Sequence, residues 1–405
     1  MRAYDKALDD WISLRACTHP DHPAVVAEGR SVTYAELDAS LGPAVAAVPA
    51  RGTHEFARQL WSAWREGTAF VPYDPRLPGP PAAVDAGPEV RTVIFTSGTT
   101  GQPKQVGLTA ANHEASALAS AWNLGVDPGD RWLCCLPLWH VGGLSILHRS
   151  AIYGTTAVLH DGFDAARVRE SLESGEATVV SLVATMLRRL IDAGLSEWPA
   201  LRAALVGGGP VPRELLEWAR ASGFPLLQTY GMTETCSQVA TLPAAEALAK
   251  AGSAGRPLVG VELRIGAGGQ ILVRGPMVAP GAADGDGWLH TGDRGRLDGD
   301  GFLHVEGRID DVIVTGGENV AAAEVEAALA AHPAVADAAV AGRPDPEWGE
   351  AIVAYVTGAS DVTDAELLAH CRERLERHKL PKAIVRVAEL PRNAAGKVVK
   401  AALPH

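Results

Sequence analysis

Thr178-Val179-Val180-Ser181-Leu182, Ala203-Ala204-Leu205-Val206 and Leu226-Leu227-Gln228-Thr229 are three short apolar runs separated by Met186 to Ala193 and Arg213 to Ala221. Their reading decides the fold. The runs are strand-length and lack a polar face, as strands covered on both sides do, and the stretches between them have helical character. The same rhythm extends upstream. Val93-Ile94-Phe95 reads as a strand, Ala110 to Trp122 as a helix behind the cap candidate Thr109, and Trp132 to Leu136 as a strand. Leu144 to Ile152 is helical, Ala157-Val158-Leu159 strand-like and Ala165 to Leu172 helical. Repeated strand–helix–strand units predict an α/β fold with a mostly parallel sheet flanked by helices. Such sheets bind ligands at the loops leaving the carboxyl ends of their strands.

Downstream the pattern changes. From Val259 to Val305, short alternating runs and glycine turns predict a small antiparallel sheet or distorted barrel. Past Arg308 comes a compact α+β unit: strand Val312-Ile313-Val314, Ala-rich helix Ala321 to Ala331, strands Val335 to Val340 and Ala351 to Val356, and amphipathic helix Asp364 to Arg377. The expected domains are 1–309 and 310–405, with the boundary at Asp310.

Composition limits the function. Apolar residues make up 47% of the 405 residues and charged residues 21%, a soluble globular profile. Acidic residues outnumber basic ones by 48 to 36, a net charge of −12 with no basic stripe for a nucleic-acid backbone. No apolar run reaches the roughly 18 residues of a membrane span, and Met1 to Asp10 has no apolar signal core. The five cysteines (Cys17, Cys134, Cys135, Cys236, Cys371) lack metal-ligand spacing, and Cys134-Cys135 falls in an apolar run that reads as a buried strand. A reducing, cytoplasmic setting is the expectation.

Four loops carry the chemistry. Thr96-Ser97-Gly98-Thr99-Thr100-Gly101-Gln102-Pro103-Lys104 concentrates hydroxyls, glycines and a lysine after a strand. Glycines let backbone N–H groups approach a polyphosphate, and the hydroxyls and lysine add donors. It is not a Walker A loop, and an ordinary Ser/Gly surface loop has the same composition. Gly207-Gly208-Gly209-Pro210 is either a tight turn or a backbone wall for a flat base. In Gln228-Thr229-Tyr230-Gly231-Met232-Thr233-Glu234-Thr235 the tyrosine can stack on a purine, a threonine can bond phosphate and the glutamate can hold Mg²⁺. In Trp288-Leu289-His290-Thr291-Gly292-Asp293 the aspartate can accept from a ribose diol or serve as a turn residue.

The order of Thr96–Lys104, Tyr230–Glu234, Thr291–Asp293, Gly307-Arg308-Ile309-Asp310-Asp311, Gly316-Gly317-Glu318-Asn319 and Pro391-Arg392-Asn393-Ala394-Ala395-Gly396-Lys397 resembles the adenylate-forming superfamily of acyl- and aryl-CoA synthetases, from about Thr33 to the end. Leu136-Pro137-Leu138-Trp139-His140-Val141-Gly142-Gly143-Leu144-Ser145-Ile146-Leu147, Thr185 to Leu190, and Ser237-Gln238-Val239 after Glu234 are most similar to the o-succinylbenzoate–CoA ligases of menaquinone biosynthesis.

The resemblance implies a large N-terminal domain and a small mobile C-terminal domain hinged at Asp310. It implies that Thr96, Ser97, Gly98, Thr99, Thr100, Gly101 and Lys104 wrap the ATP phosphates, with Gly208, Gly209, Tyr230, Gly231 and Met232 near the adenine. Thr233 would contact phosphate, Glu234 would bind Mg²⁺, and Asp293 and Arg308 would hold the ribose. Lys397 would be the adenylation lysine, and the Gly316-Gly317 loop, on another face of the C-terminal domain, would replace it for the thiol step. His140 would border the acyl pocket, as substrate ligand or channel gate. Arg149, Thr235 and Ser237 are weaker candidates for a second carboxylate, and an exposed place on its helix is the reading given to Arg149. The implied reaction is carboxylate adenylation with release of pyrophosphate, then thioester formation with coenzyme A. A carrier-protein thiol or an amine as acceptor, or a non-catalytic nucleotide-binding homologue, are the alternatives. The implied partners are small molecules only, and the oligomeric state stays open, dimers or larger being common among relatives.

Two departures from the family pattern stand out. Thr33-Tyr34-Ala35-Glu36-Leu37 lies only about sixty residues before Thr96, so part of the first subdomain is missing or abbreviated. Ala322 stands where relatives carry a proline that would open a helix, a place alanine fills equally well.

Overall fold

The computed structural model describes residues 10–80, 82, 84–97, 103–358, 361–392 and 398–404. Two compact units emerge. The first takes the chain up to Val211 with Leu215–Leu263 and Val273–Leu289; the second takes Pro212–Glu214, Arg264–Leu272 and His290–His405.

In the first unit α1 (Trp11–Thr18) precedes the hairpin β1 (Pro23–Ala27) and β2 (Arg30–Thr33). The helix α2 (Tyr34–Ser40) starts where Thr33 accepts from the Glu36 amide and Glu36 reaches back to the Thr33 amide, a capping box. β3 (Ala47–Pro49), α3 (His54–Glu66) and β4 (Val71–Tyr73) follow, β3 and β4 pairing in parallel. Next come β5 (Val90–Ser97), β6 (Pro103–Thr109), α4 (Ala110–Leu124), β7 (Arg131–Cys134), α5 (Val141–Tyr153), β8 (Thr156–Leu159), α6 (Ala165–Glu173) and β9 (Val179–Val183). The unit continues with α7 (Ala184–Asp192), β10 (Ala203–Gly207), α8 (Arg213–Ser222), β11 (Leu226–Met232), β12 (Ser237–Leu242) and β13 (Arg256–Pro257).

Nine strands form one sheet in the order β13-β12-β11-β10-β9-β7-β8-β1-β2. From β11 to β1 every neighbouring pair is parallel, with antiparallel β12, β13 and β2 at the ends. All four residues of β8 are buried, as a strand covered on both faces requires. Cys134 and Cys135 lie fully in this core, as read from the sequence.

β5 departs from expectation. It is not a member of the parallel sheet but pairs antiparallel with β6, a strand the sequence reading passed over, bringing Thr96 opposite Lys104. The run Gln105-Val106-Gly107-Leu108 buries alternate residues, Val106 and Leu108, the period-2 pattern of a half-buried strand. The described ends of the serine- and threonine-rich stretch, Thr96-Ser97 and Pro103-Lys104, therefore belong to two paired strands.

The second unit takes most of a four-stranded sheet ordered β14 (Glu262–Ile265), β15 (Gln270–Arg274), β16 (Leu289–Leu297), β17 (Leu303–Arg308), the small sheet expected between Val259 and Val305. β18 (Val312–Thr315), β19 (Glu318–Ala321), α9 (Ala322–Ala330), β20 (Asp337–Asp345), β21 (Gly349–Thr357), α10 (Asp364–Arg372) and β22 (Ala383–Arg386) follow. Its five-stranded sheet buries Val320, Val325, Leu329, Ile352, Val356 and Leu367. The helix expected to run to Arg377 stops at Arg372, and a separate 3₁₀ turn takes Arg377–Lys379. Among the described residues no helix is long and apolar enough to cross a membrane.

Candidate active site

The two motifs that carry most weight in the sequence, 130 residues apart, meet in the first unit. Lys104, on the returning strand of the β5–β6 hairpin, places Nζ 3.4 Å from Oε1 of Glu234. Thr96 Oγ1 donates to the Lys104 carbonyl at 3.4 Å, tying the mouth of the hairpin. Gly98, Thr99, Thr100 and Gly101 lie outside the described residues, as does Lys397.

Glu234 sits in a 3₁₀ turn, Thr233–Thr235, at the end of β11. β11 is a parallel strand of the large sheet, so its carboxyl end is where such a sheet offers ligand loops. The Glu234 carbonyl accepts from the Ala279 amide at 2.8 Å. Its side chain is 19% exposed, half-sheltered and still reachable from solvent. No cluster of three or more His, Cys, Asp or Glu able to hold a metal occurs among the described residues. One accessible carboxylate suits Mg²⁺, which keeps waters and takes its remaining ligands from substrate phosphates.

Tyr230 is half-buried on β11 opposite Ala240 of β12. Beside it Gly231 is required, because a Cβ there would stand 1.7 Å from the Ser237 carbonyl oxygen. Met232 and Thr233 are also half-buried, and Gly208 and Gly209 are exposed after β10. Thr235 is fully buried, with its hydroxyl spent on the turn: it accepts from the Met232 amide at 3.2 Å and lies 3.1 and 3.2 Å from the carbonyls of Met232 and Ser237. Cys236 and Ser237 follow with φ of 50° and 101°. Burial pushes the Cys236 thiol up to about 12.

His140 caps α5 at its N-terminus, half-buried, its ring 5.7 Å from that of Trp139. Nearby Asp74 is buried and bonded by Arg76, with contacts at 2.6 to 3.1 Å. The Arg76 guanidinium, with smaller contributions from the Arg76 amide and the His140 charge, holds the Asp74 carboxyl below its usual range against the opposing effect of burial.

Arg149 corrects the reading. It is not exposed on its helix but 3% exposed in the interior. Its Nη2 donates to Ser116 Oγ at 3.3 Å and its guanidinium carbon lies 5.4 Å from the centre of the Trp132 ring. Burial lowers its pKa, though a guanidinium stays protonated in proteins. Beside it His113 and His148 stack at 3.8 Å, bordered by Trp64. The sequence reading missed His113 and Ser116, and no signal could have found them, since both sit on an ordinary helix whose partner turn lies some 120 residues away.

In the second unit Arg308 Nη1 donates to the Asp293 carboxylate at 3.1 Å and to the Thr291 carbonyl at 2.8 Å. Pairing of β16 with β17 sets Asp293 opposite Arg308. Asp310 is exposed in the 3₁₀ turn Ile309–Asp311, and Gly316 and Gly317 are exposed between β18 and β19.

Comparison with known proteins gives a consistent result. The AMP-binding enzyme family matches residues 46–282, and the AMP-binding enzyme C-terminal domain matches 324–397. The 2-succinylbenzoate–CoA ligases of Bacillus velezensis and Bacillus licheniformis are each 47% identical over 331 residues, covering 77% of this chain and 68% and 69% of theirs. The o-succinylbenzoate CoA synthetase of Bacillus subtilis with its acyl-adenylate intermediate matches at a TM-score of 0.89 and 35% identity, over 97% of both chains. The same enzyme with ATP and magnesium ion matches at 0.89 and 35%, over 97% of this chain and 99% of that one.

Proposed function

The chain belongs to the AMP-binding enzyme family, and we propose that it is an AMP-forming ligase that joins o-succinylbenzoate to coenzyme A in menaquinone biosynthesis. A carboxylate oxygen of the acid attacks the α-phosphorus of ATP, the bond to pyrophosphate breaks, and an acyl-adenylate forms. The thiol of coenzyme A then attacks the acyl carbon and AMP leaves.

The obstacle in the first step is electrostatic, because an anion must approach an anion. Mg²⁺ bound with the nucleotide supplies compensating positive charge. On the protein side Lys104 and Thr96 meet the phosphates, Glu234 orients the metal-bearing nucleotide, and Thr233 bonds phosphate. Tyr230 lies against the adenine, with the Gly208-Gly209 backbone opposite it. Asp293, held by Arg308, accepts from the ribose. Lys397 offsets the charge that builds between carboxylate and α-phosphate, a preorganised contribution. Asp310 is the hinge about which Lys397 yields to the Gly316-Gly317 loop for thiol attack. His140 borders the acid. The setting is the cytoplasm.

The observation that supports the reading is the approach of Lys104 to Glu234 at 3.4 Å, which brings residues of two separate motifs together. The test is acid-dependent AMP release from Mg·ATP with coenzyme A, across o-succinylbenzoate, benzoates and short fatty acids. Strong turnover that needs both o-succinylbenzoate and coenzyme A is expected. Pyrophosphate release without thioester would move the acceptor elsewhere, and turnover confined to another acid would overturn the substrate.

A further inference from the structure

The turn that follows Glu234 is strained, and a buried set of side chains grips it. Cys236 and Ser237, at φ 50° and 101°, are consecutive non-glycine residues in the left-handed half of conformational space. Such backbone persists where surrounding contacts over-determine it, and it concentrates at functional sites. Here the contacts come from α4 and α5. Ser116 Oγ donates to the Cys236 carbonyl at 2.7 Å, and Arg149 Nη2 donates to that same oxygen of Ser116 at 3.3 Å. A guanidinium has donors and no acceptor, so Ser116 must accept from it and its own proton is left for the carbonyl. One turn earlier on α4, His113 bridges the Cys236 thiol, 3.4 Å from Nδ1, and the Thr92 hydroxyl, 2.7 Å from Nε2. All three side chains are buried: His113 and Ser116 at 2% exposure and Arg149 at 3%. Among the described residues Arg149 makes no ion pair. A buried guanidinium with no carboxylate beside it is costly, and what it makes in return is the bond to Ser116 and the contact with the Trp132 ring.

We propose that Ser116, His113 and Arg149 are positioning residues that hold Cys236 and Ser237 in the strained form and so aim Glu234 and Thr233 at Mg·ATP. None of the three touches substrate in this account, which rests on the site reading given above. The Ala279 amide already fixes the main chain at Glu234. Beyond it the Thr235 hydroxyl and the Cys236 amide, bonded to the Thr233 carbonyl at 3.0 Å, hold the turn from within, and Ser116 and His113 hold Cys236 from outside it.

The test compares Ser116→Ala, Cys236→Gly and the double variant with the wild type. Glycine takes a positive φ at no steric cost, so a turn with Gly at position 236 no longer needs the Ser116 hydrogen bond to stay in place. Ser116→Ala is expected to raise the Mg²⁺ concentration for half-maximal ATP binding and to lower the adenylation rate, each roughly tenfold, the loss of one buried hydrogen bond. Thioester formation from supplied acyl-adenylate should be unchanged. The double variant should recover most of the loss, and Ser116→Cys, which keeps a weak donor, should fall between. Equal loss in both half-reactions, an unchanged Mg²⁺ requirement or no recovery in the double variant would overturn the proposal. Wild-type pyrophosphate release with o-succinylbenzoate judges the function itself. The ratio of variant to wild type in equilibrium ATP and Mg²⁺ titrations is read independently of the acid.

Discussion

At the scale of single residues, the paired rings of His113 and His148 show what burial does to charge. Both are at most 2% exposed, and Trp11, Trp61 and Trp64 crowd the His148 ring at 5.0 to 6.4 Å. Burial, with further lowering from the neighbouring His148 and Arg149, holds His113 well below the usual imidazole range. It lowers His148 to about 3, against the raising effect of the Leu144 carbonyl that its Nδ1 meets at 3.1 Å. Both are therefore neutral in the folded protein at pH 7, whereas in the unfolded chain each ionises near 6.5. Below that pH the unfolded state binds more protons, so stability is complete above 6.5 and falls as the pH drops towards 3. The loss approaches about 1.4 kcal/mol per pH unit for each ring that must charge. His148→Phe keeps an aromatic among the tryptophans and removes one titrating group. Urea unfolding at pH 7 and pH 5 should show the wild type losing about 1–2 kcal/mol more than the variant between those values. Parallel losses in the two proteins would mean that His148 is not held neutral by its surroundings.

At the scale of elements, the first helix-opening motif has a purpose beyond its own capping box. Tyr34 begins α2 with 1% exposure, and its hydroxyl lies within bonding distance of two carbonyls at the end of α5, Ser150 at 2.9 Å and Thr155 at 2.7 Å. That contact ties α2 to the turn leading into β8. Tyr34→Phe retains the ring and removes a buried donor; the Ser150 carbonyl keeps the Gly154 and Thr155 amides at 2.8 and 2.9 Å, but the Thr155 carbonyl loses its hydroxyl partner, so a loss of about 1–3 kcal/mol is expected. Thermal unfolding measures it, with adenylation per folded molecule unaffected; a neutral substitution would show that water takes over the Thr155 carbonyl. The alternation of strands and helices over 178–229 was legible because parallel strands buried on two faces leave uninterrupted apolar runs. β6 was not, since Lys104, Gln105 and Gly107 disguise a strand whose inner face is only Val106 and Leu108. Arg149 was misread for a related reason. His148, Arg149 and Ser150 follow one another like a solvated face, yet α5 is buried all round, and a periodic pattern cannot show an interior that accepts polar groups. The contact of Lys104 with Glu234 was legible as two motifs and not as one site, because pairing across 130 residues is a property of the fold.

At the scale of the whole molecule, two reactions act in turn on the same acyl group. Adenylation brings two anions together and is helped by a cation at the α-phosphate; thiol attack needs room for coenzyme A. Gly52 packs closely on the loop after β8: its amide donates to Asp161 at 3.0 Å, and a Cβ would stand 2.2 Å from the His160 carbonyl oxygen. The segment between β3 and α3 is thus fixed directly to that loop in the first unit. In the second unit the chain flanking residues 393–397 is anchored on both sides. Arg392 bridges Val398, Val399 donates to the Pro391 carbonyl at 2.8 Å, and Lys400 pairs with Glu326 at 2.9 Å and Asp311 at 3.4 Å. The described residues on either side of 393–397 are thus fixed to this unit, and one of the anchors, Asp311, belongs to the turn holding Asp310. If the unit turns about Asp310 between steps, Lys397 serves only the first. Lys397→Ala should then lower acid-dependent pyrophosphate release by roughly 10²–10³-fold while thioester formation from supplied o-succinylbenzoyl-adenylate proceeds at close to the wild-type rate. Quenched-flow measurement of the two half-reactions separates them. Equal losses in both would place Lys397 in a single arrangement used throughout, and the turn about Asp310 would no longer be needed to explain how one site performs two steps.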